Sequence, residues 1–298
     1  MRFFYNIAGI AVKGETPYDL IIQEESIPFL LEEPERTCGG HIQEKNCREM
    51  SDEVEVEFCR QPQIHTPDKG GVLKMNRLYF REGDEDKVCF YAAVNTCPYA
   101  IVTRKRGRIC IAYAEESIPY MNYSHNLIDL FSPEMLLLEH RGLIIHASFI
   151  RWKNQGILFS GPSGMGKSTQ ADLWTKYEQA ECLNGDRTAL RKIDGTWMAY
   201  GLPYAGTSGI YRNESARLSA IVILRQGNEN TVFRMKPAEA FRLIYAEVMI
   251  HHWNEGFVEK AADYITELVS DIPFYLLTCR PDRGAVDILR KELTGEIS

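Results

Sequence analysis

One short motif constrains this chain more than anything else in it. Gly161-Pro162-Ser163-Gly164-Met165-Gly166-Lys167-Ser168 fits G-x-x-x-x-G-K-[ST], and Thr169 follows it. The apolar run Ile157-Leu158-Phe159 enters the motif, and a segment carrying Ala171, Leu173, Trp174 and Tyr177 leaves it. Strand, loop, helix is the setting in which this spacing has a mechanism. Glycines let backbone N–H groups turn toward an anion with no Cβ in the way, and the helix start adds its positive end.

The motif predicts a phosphate cradle formed by Gly161, Ser163, Gly164, Met165, Gly166, Lys167, Ser168 and Thr169. The expected ligands are a chain of phosphates and Mg²⁺, with Lys167 at the β- and γ-phosphates and Ser168 on the metal. Phosphoryl transfer also needs a carboxylate on a neighbouring strand end. Asp186, closing Cys182-Leu183-Asn184-Gly185-Asp186, is the candidate for base and second metal ligand. His146 lies on Leu143–Ile150, a run expected to pair with the strand that feeds the motif. A second glycine-rich stretch, Gly201-Leu202-Pro203-Tyr204-Ala205-Gly206-Thr207-Ser208-Gly209, reads as a loop able to close over substrate, with Arg212 beyond it. Arg212 is equally readable as a solvated side chain.

The half before the motif is different in texture. Val54-Glu55-Val56-Glu57-Phe58 alternates with period two. Runs at 77–80, 88–94, 99–103 and 108–113 are separated by polar turns, which predicts antiparallel hairpins. The turn Arg104-Lys105-Arg106-Gly107 reads as a solvated tip. Ser132-Pro133-Glu134 marks a helix start, with Ser132 as its cap. The expected division is a β-rich accessory or substrate-recognition domain over 1–130 and a P-loop kinase-like α/β domain over 131–298. Pro237 is expected to open a long helix through His251, with His251 and His252 on different faces. No internal repeat is evident.

Composition narrows the partners. The 298 residues carry 34 basic and 41 acidic side chains, a formal charge of −7, which disfavours bulk binding to nucleic acid or an anionic membrane. No apolar run reaches the ~20 residues of a membrane span, and the N-terminus reads as a strand, so the expected compartment is the cytosol. Eight cysteines without a C-x-x-C pair suggest reduced thiols. Cys38, His41, Cys47 and Cys59 do not match a zinc spacing.

His146-Ala147, the stretch from Ser160 to Ser168, and Gly185-Asp186-Arg187 together resemble the catalytic domain of the HPr kinase/phosphorylase family and its short relatives, over residues 135–298. The resemblance implies a phosphoenolpyruvate-carboxykinase-like P-loop fold. It implies ATP and Mg²⁺ at Lys167 and Ser168, His146 near the transferring group, and Asp186 as the second member of an Asp-Asp pair that acts as base. Gly185 stands where the first Asp belongs, and the family's later Glu-x-Arg-Gly signature has no clear counterpart. The acceptor implied is the serine hydroxyl of a protein or peptide, ribosomal-peptide precursors included. Two alternatives stay open: a nucleotide-binding regulatory protein without transferase activity, and a small-molecule kinase or carboxykinase-like enzyme. Oligomeric state is also open.

Overall fold

The computed structural model describes residues 1–31, 52–65, 71–74, 76–93, 96–105, 107–204 and 206–295. Cys38, His41, Cys47, Arg106 and Ala205, all considered above, lie outside the described residues. The chain is a mixed α/β protein with two large sheets, and it divides into the units Met1–Pro133 and Glu134–Ser298.

The first unit holds β1 (Arg2–Ile7), β2 (Ile10–Glu15), β3 (Asp52–Arg60), β4 (Val72–Lys74), β5 (Arg77–Glu82), β6 (Glu85–Tyr91), β7 (Pro98–Lys105), β8 (Arg108–Tyr113) and α1 (Ser124–Leu130). The strand order is β1-β2-β3-β8-β7-β6-β5-β4. From β4 to β8 the pairs are antiparallel, but β3 runs parallel to both β2 and β8. The purely antiparallel expectation is therefore corrected. A parallel neighbour needs a long return instead of a tight turn, and residues 16–51 and 61–107 supply one on each side. Val54 and Val56 face the core while Glu55 and Glu57 face out, as the alternation requires.

Three further expectations change in this unit. Arg104 is no solvated tip: it is buried and donates to the Phe131 carbonyl at 2.6 Å. The same five letters, Glu-Glu-Ser-Ile-Pro, open two 3₁₀ helices, Glu24–Phe29 and Glu115–Tyr120, each with its serine buried. This short repeat is invisible to a search for long periods. Ser132 does not cap the next helix. It follows Phe131, the residue that closes α1, donating its N–H to the Asp129 carbonyl, and sits at φ 45° with its hydroxyl unpartnered. A capping residue needs extended backbone, and this junction has none to offer.

The second unit carries the motif. Its elements are α2 (Pro133–Glu139, opening at the boundary), β9 (Gly142–Trp152), β10 (Gln155–Ser160), α3 (Lys167–Glu178), β11 (Glu181–Asn184), β12 (Arg187–Ile193), β13 (Thr196–Gly201), β14 (Ser215–Gln226), β15 (Thr231–Arg234), α4 (Pro237–Tyr245), α5 (Glu255–Asp271), β16 (Phe274–Cys279) and α6 (Arg283–Thr294). The sheet order is β10-β9-β12-β13-β14-β16-β15, and β10 also pairs with β14, so the path returns on itself. A tight turn with both Lys153 and Asn154 at positive φ joins β9 to β10, the geometry two-residue hairpins favour.

Helix α3 is held by an apolar cluster with the sheet and α6: Phe159, Trp174, Val222, Leu277 and Leu289 are all fully buried. Each such side chain contributes about 1.5–3 kcal/mol. Met165 of the loop packs on the same cluster, which couples the loop to the core.

The helix expected to run to His251 stops at Tyr245. The chain leaves it to bridge β9: His146 N–H donates to the Glu247 carbonyl at 2.9 Å, and Met249 N–H to the Ile144 carbonyl at 2.9 Å. Unpaired backbone on β9 outcompetes the last helical turns, since each buried N–H needs an acceptor. His251 and His252 accordingly lie off the helix.

Candidate active site

The loop between β10 and α3 has Gly161 at φ 142°, Gly164 at φ 81° and Gly166 at φ 96°. All three are conformations that favour glycine. Helix α3 begins directly after Gly166 with no side chain capping it. Helices α1 and α4 also start without a side-chain cap, whereas Asn254 caps α5 and Asp282 caps α6 through side-chain oxygens. A cap is worth about 1 kcal/mol, so α3 leaves its first N–H groups to another acceptor. Ser163, Gly164 and Thr169 are exposed and Ser168 is half-buried, so the loop's open side is accessible.

Lys167 is 8% exposed, and its Nζ donates to the loop's own carbonyls, Gly161 at 2.8 Å and Pro162 at 3.2 Å. Burial holds the amine below its ordinary lysine range, while the nearby carboxylates of Glu247 and Asp186 work the other way. An anion arriving at the loop would relieve that cost.

Across from the loop, β9 antiparallel to β10 sets Ala147 opposite Ser160, and β12 sets Arg187 opposite His146. His146 Nε2 is 3.5 Å from Asp186 Oδ1, and its Nδ1 is 3.5 Å from Glu247 Oε2. The other Asp186 oxygen, Oδ2, is 3.5 Å from Arg187 Nε. Arg187 also lies over the Tyr204 ring at 5.0 Å. His146, Asp186, Glu247, Arg187 and Lys167 thus share one end of the sheet.

Two residues hold Asp186 in place. Asn184 is fully buried, and its Oδ1 accepts the N–H groups of Asp186 and Arg187, both at 2.9 Å. Its Nδ2 donates to the carbonyls of Leu202 and Tyr204 at 2.8 and 3.2 Å. Gly206, at φ 53°, covers the carboxylate so closely that a Cβ there would stand 2.7 Å from Asp186 Cβ and 2.8 Å from its Cγ. Gly185 has a backbone role: its carbonyl accepts the Ser148 hydroxyl at 3.1 Å.

Arg212 is not among these residues. Its guanidinium lies 3.7 Å from Glu181 and 3.8 Å from Glu214. Glu181 pairs with Arg151, which stands opposite Gly156 at the start of β10, the end away from the loop. Arg212 finds two carboxylates there, so it does not serve the loop.

The sequence assigns no role to Glu247 or Asn184, and it places Gly206 only within a loop able to close over substrate. Asn two residues before Asp186 is a local signal, because Asx side chains bond the backbone two residues on. Glu247 gives none, since it sits in a stretch patterned as helix.

Among the described residues no three His, Cys, Asp or Glu side chains are arranged to hold a metal by themselves. A hydroxyl and a carboxylate, the donor types of Ser168 and Asp186, are ones that Mg²⁺ accepts, its other ligands coming from phosphates and water. None of the described helices is long and apolar enough to cross a membrane. Among the described residues, Cys59, Cys89, Cys97, Cys110, Cys182 and Cys279 are free thiols.

Fold and site define a mixed α/β protein whose glycine-rich strand–loop–helix turn shares a sheet end with a carboxylate–imidazole–carboxylate cluster. The family model described as SynChlorMet cassette protein ScmC matches residues 114–282, more than half of the chain, and the chain belongs to that family. No curated protein matches it. Among solved structures, that of the Hpr(Ser) kinase/phosphatase from Coxiella burnetii is similar over 51% of this chain and 93% of that one, at 12% identity and a TM-score of 0.30.

Proposed function

We propose that this protein is an ATP- and Mg²⁺-dependent kinase that transfers the γ-phosphoryl group to a hydroxyl, the serine of a peptide or protein. The observation that carries the proposal is the shared location of two devices. An uncapped helix start with buried Lys167 lies at the same sheet end as Asp186, which is flanked by His146 and Arg187. One binds phosphate and the other handles a proton and negative charge.

Backbone N–H groups of 161–166 and α3 would bind the phosphates, with Lys167 at the β- and γ-positions. Mg²⁺ held by Ser168 and Asp186 would offset phosphate charge. The acceptor hydroxyl loses its proton to Asp186 Oδ1 as its oxygen bonds to Pγ and the bond from Pγ to the β-bridging oxygen breaks, releasing ADP. His146, between Asp186 and Glu247, orients Asp186 and takes the proton onward. Lys167 and Arg187 stabilise the charge on the transferring and leaving oxygens. The acceptor class rests on the resemblance of His146-Ala147, Ser160–Ser168 and Gly185-Asp186-Arg187 to serine kinases.

Gly185 motivates a second reading, a nucleotide-binding protein that does not transfer, because one carboxylate of the Asp-Asp pair is missing. Incubation with γ-labelled ATP, Mg²⁺ and the small peptides encoded beside the gene separates the two. Label on a peptide serine supports the kinase. Tight ATP binding with no label on any peptide, protein or small hydroxyl acceptor supports the second reading and removes the first.

A further inference from the structure

The turn Gly206–Ser208 lies over Asp186 between two anchored stretches of chain. Before it, Asn184 Nδ2 donates to the carbonyls of Leu202 and Tyr204 at 2.8 and 3.2 Å. After it, Gly185 N–H donates to the Ile210 carbonyl at 3.3 Å and Arg212 N–H to the Leu183 carbonyl at 3.0 Å. Asn184 and Tyr211 also form an antiparallel bridge. Residues 183–185, which lead directly into Asp186, therefore hold the chain on both sides of the turn.

The turn rests on the oxygen assigned to the acceptor proton. A Cβ at Gly206 would stand 3.1 Å from Asp186 Oδ1. Successive Cα atoms are about 3.8 Å apart, so Thr207 is one residue away from that contact. Thr207 is exposed, and among the described residues its hydroxyl has no hydrogen-bond partner. Ser208 is engaged differently, because its hydroxyl accepts the Ile210 N–H at 3.2 Å and closes the turn. Left-handed glycines flank the two hydroxyl residues, Gly206 at φ 53° and Gly209 at φ 65°, and a Cβ at Gly209 would meet nothing within 4 Å. The turn is thus fixed at its feet and lightly packed beyond Ser208.

The phosphate side meets it at the same sheet end. Lys167 is close enough to feel the charge of Asp186, and Arg187 Nε is 3.5 Å from Asp186 Oδ2. A phosphoryl group held at Lys167 therefore meets a hydroxyl that the chain itself supplies. Tethering makes such a transfer unimolecular, which removes much of the cost of bringing the reactants together.

We infer that Thr207 is a phosphorylation site that the chain modifies on itself. The inference rests on the kinase reading and adds a second acceptor to it. Thr207 Oγ1 bonds to Pγ as the bond from Pγ to the β-bridging oxygen breaks, its proton passes to Asp186 Oδ1, and ADP leaves. The phosphothreonine carries a charge of about −1.5 to −2, and Arg187 is the neighbouring guanidinium suited to pair with it.

The full chain incubated with γ-labelled ATP and Mg²⁺ alone should take up a single phosphate, which peptide mapping by mass spectrometry places on Thr207. The rate constant should be unchanged over an about tenfold range of chain concentration, as an intramolecular step requires. Thr207→Ala should lose the label and Thr207→Ser should regain it. An Asp186→Asn chain mixed with wild type should stay unlabelled. Label mapped elsewhere, label that persists in Thr207→Ala, or label passed to the Asp186→Asn chain overturns the inference. An unlabelled chain overturns it as well, and label on an added peptide serine in the same mixture then leaves the kinase reading standing. No label on chain, peptide or small hydroxyl acceptor removes both.

Discussion

Replacing Gly206 with alanine perturbs Asp186 without touching the loop, and its size can be worked from the structure. The new methyl would stand 2.7 Å from Asp186 Cβ, 2.8 Å from Cγ and 3.1 Å from Oδ1. Carbon atoms rest about 3.5 Å apart, so the carboxylate or the 206–208 turn must yield by about 0.7 Å. The φ of 53° adds a left-handed cost of about 1–2 kcal/mol for a residue with a Cβ. A misplacement near 1 Å costs about 10²-fold in rate when positioning is the mechanism, so we expect kcat to fall by about 10–100-fold. Affinity for ATP without Mg²⁺, measured separately by calorimetry, should stay within about twofold, because the loop is not contacted. Gly209→Ala is the control. Gly209 has φ 65°, and a methyl added there would meet nothing within 4 Å, so it carries the backbone cost and not the clash. Both variants should lose a few degrees of Tm, about 2–4 °C per kcal/mol for a domain of this size. Only Gly206→Ala should lose kcat. A wild-type rate in Gly206→Ala, or equal losses in the two variants, refutes the argument that the turn positions Asp186.

Other residues give further outcomes. Asn184→Ala should lower Tm by about 5–12 °C, because it orphans two carbonyls and two N–H groups around a buried side chain; a shift below a degree contradicts the brace. Glu247→Gln keeps the backbone bridge through its carbonyl and removes the charge beside His146, so kcat should fall about tenfold with KM for ATP unchanged; a change in KM alone would place Glu247 in binding. Lys192 holds the Asp271 carboxyl below its ordinary value, with the Trp197 indole N–H assisting and desolvation opposing. Stability from this group is present above the unfolded value near 3.8 and is lost as pH falls through the lower folded value. Asp271→Asn should therefore flatten the acid limb of Tm against pH, and an unchanged limb removes Asp271 as its cause.

The parts of the site that are local in sequence were legible there, and the parts made by distant pairing were not. A glycine-rich run between an apolar strand and a helix is readable because each residue's chemistry is tied to its neighbours. His146 and Asp186 stand next to that run through strand pairing that a two-residue turn and one helix make short-range. Glu247 comes from about a hundred residues away. It arrives because β9 draws the chain out of α4 to complete its hydrogen bonds, and the helical pattern of 238–251 hides that competition. Arg212 misled in the opposite sense: its place beyond a glycine-rich stretch suggested the loop, and two carboxylates at the other sheet end hold it. In the first unit, the alternation of β3 was plain, but its parallel neighbours depend on returns that no local pattern encodes.

The central claim is that the loop binds the donor and that Asp186, across from it, takes the acceptor proton. Transfer and binding, measured side by side for Asp186→Asn, test it most directly. The account predicts that ATP still binds through Lys167 and the α3 start, more weakly with Mg²⁺ because one metal ligand is lost, with transfer of γ-label lowered by about 10²–10⁴-fold. Asp186→Asn that transfers label at the wild-type rate contradicts the account.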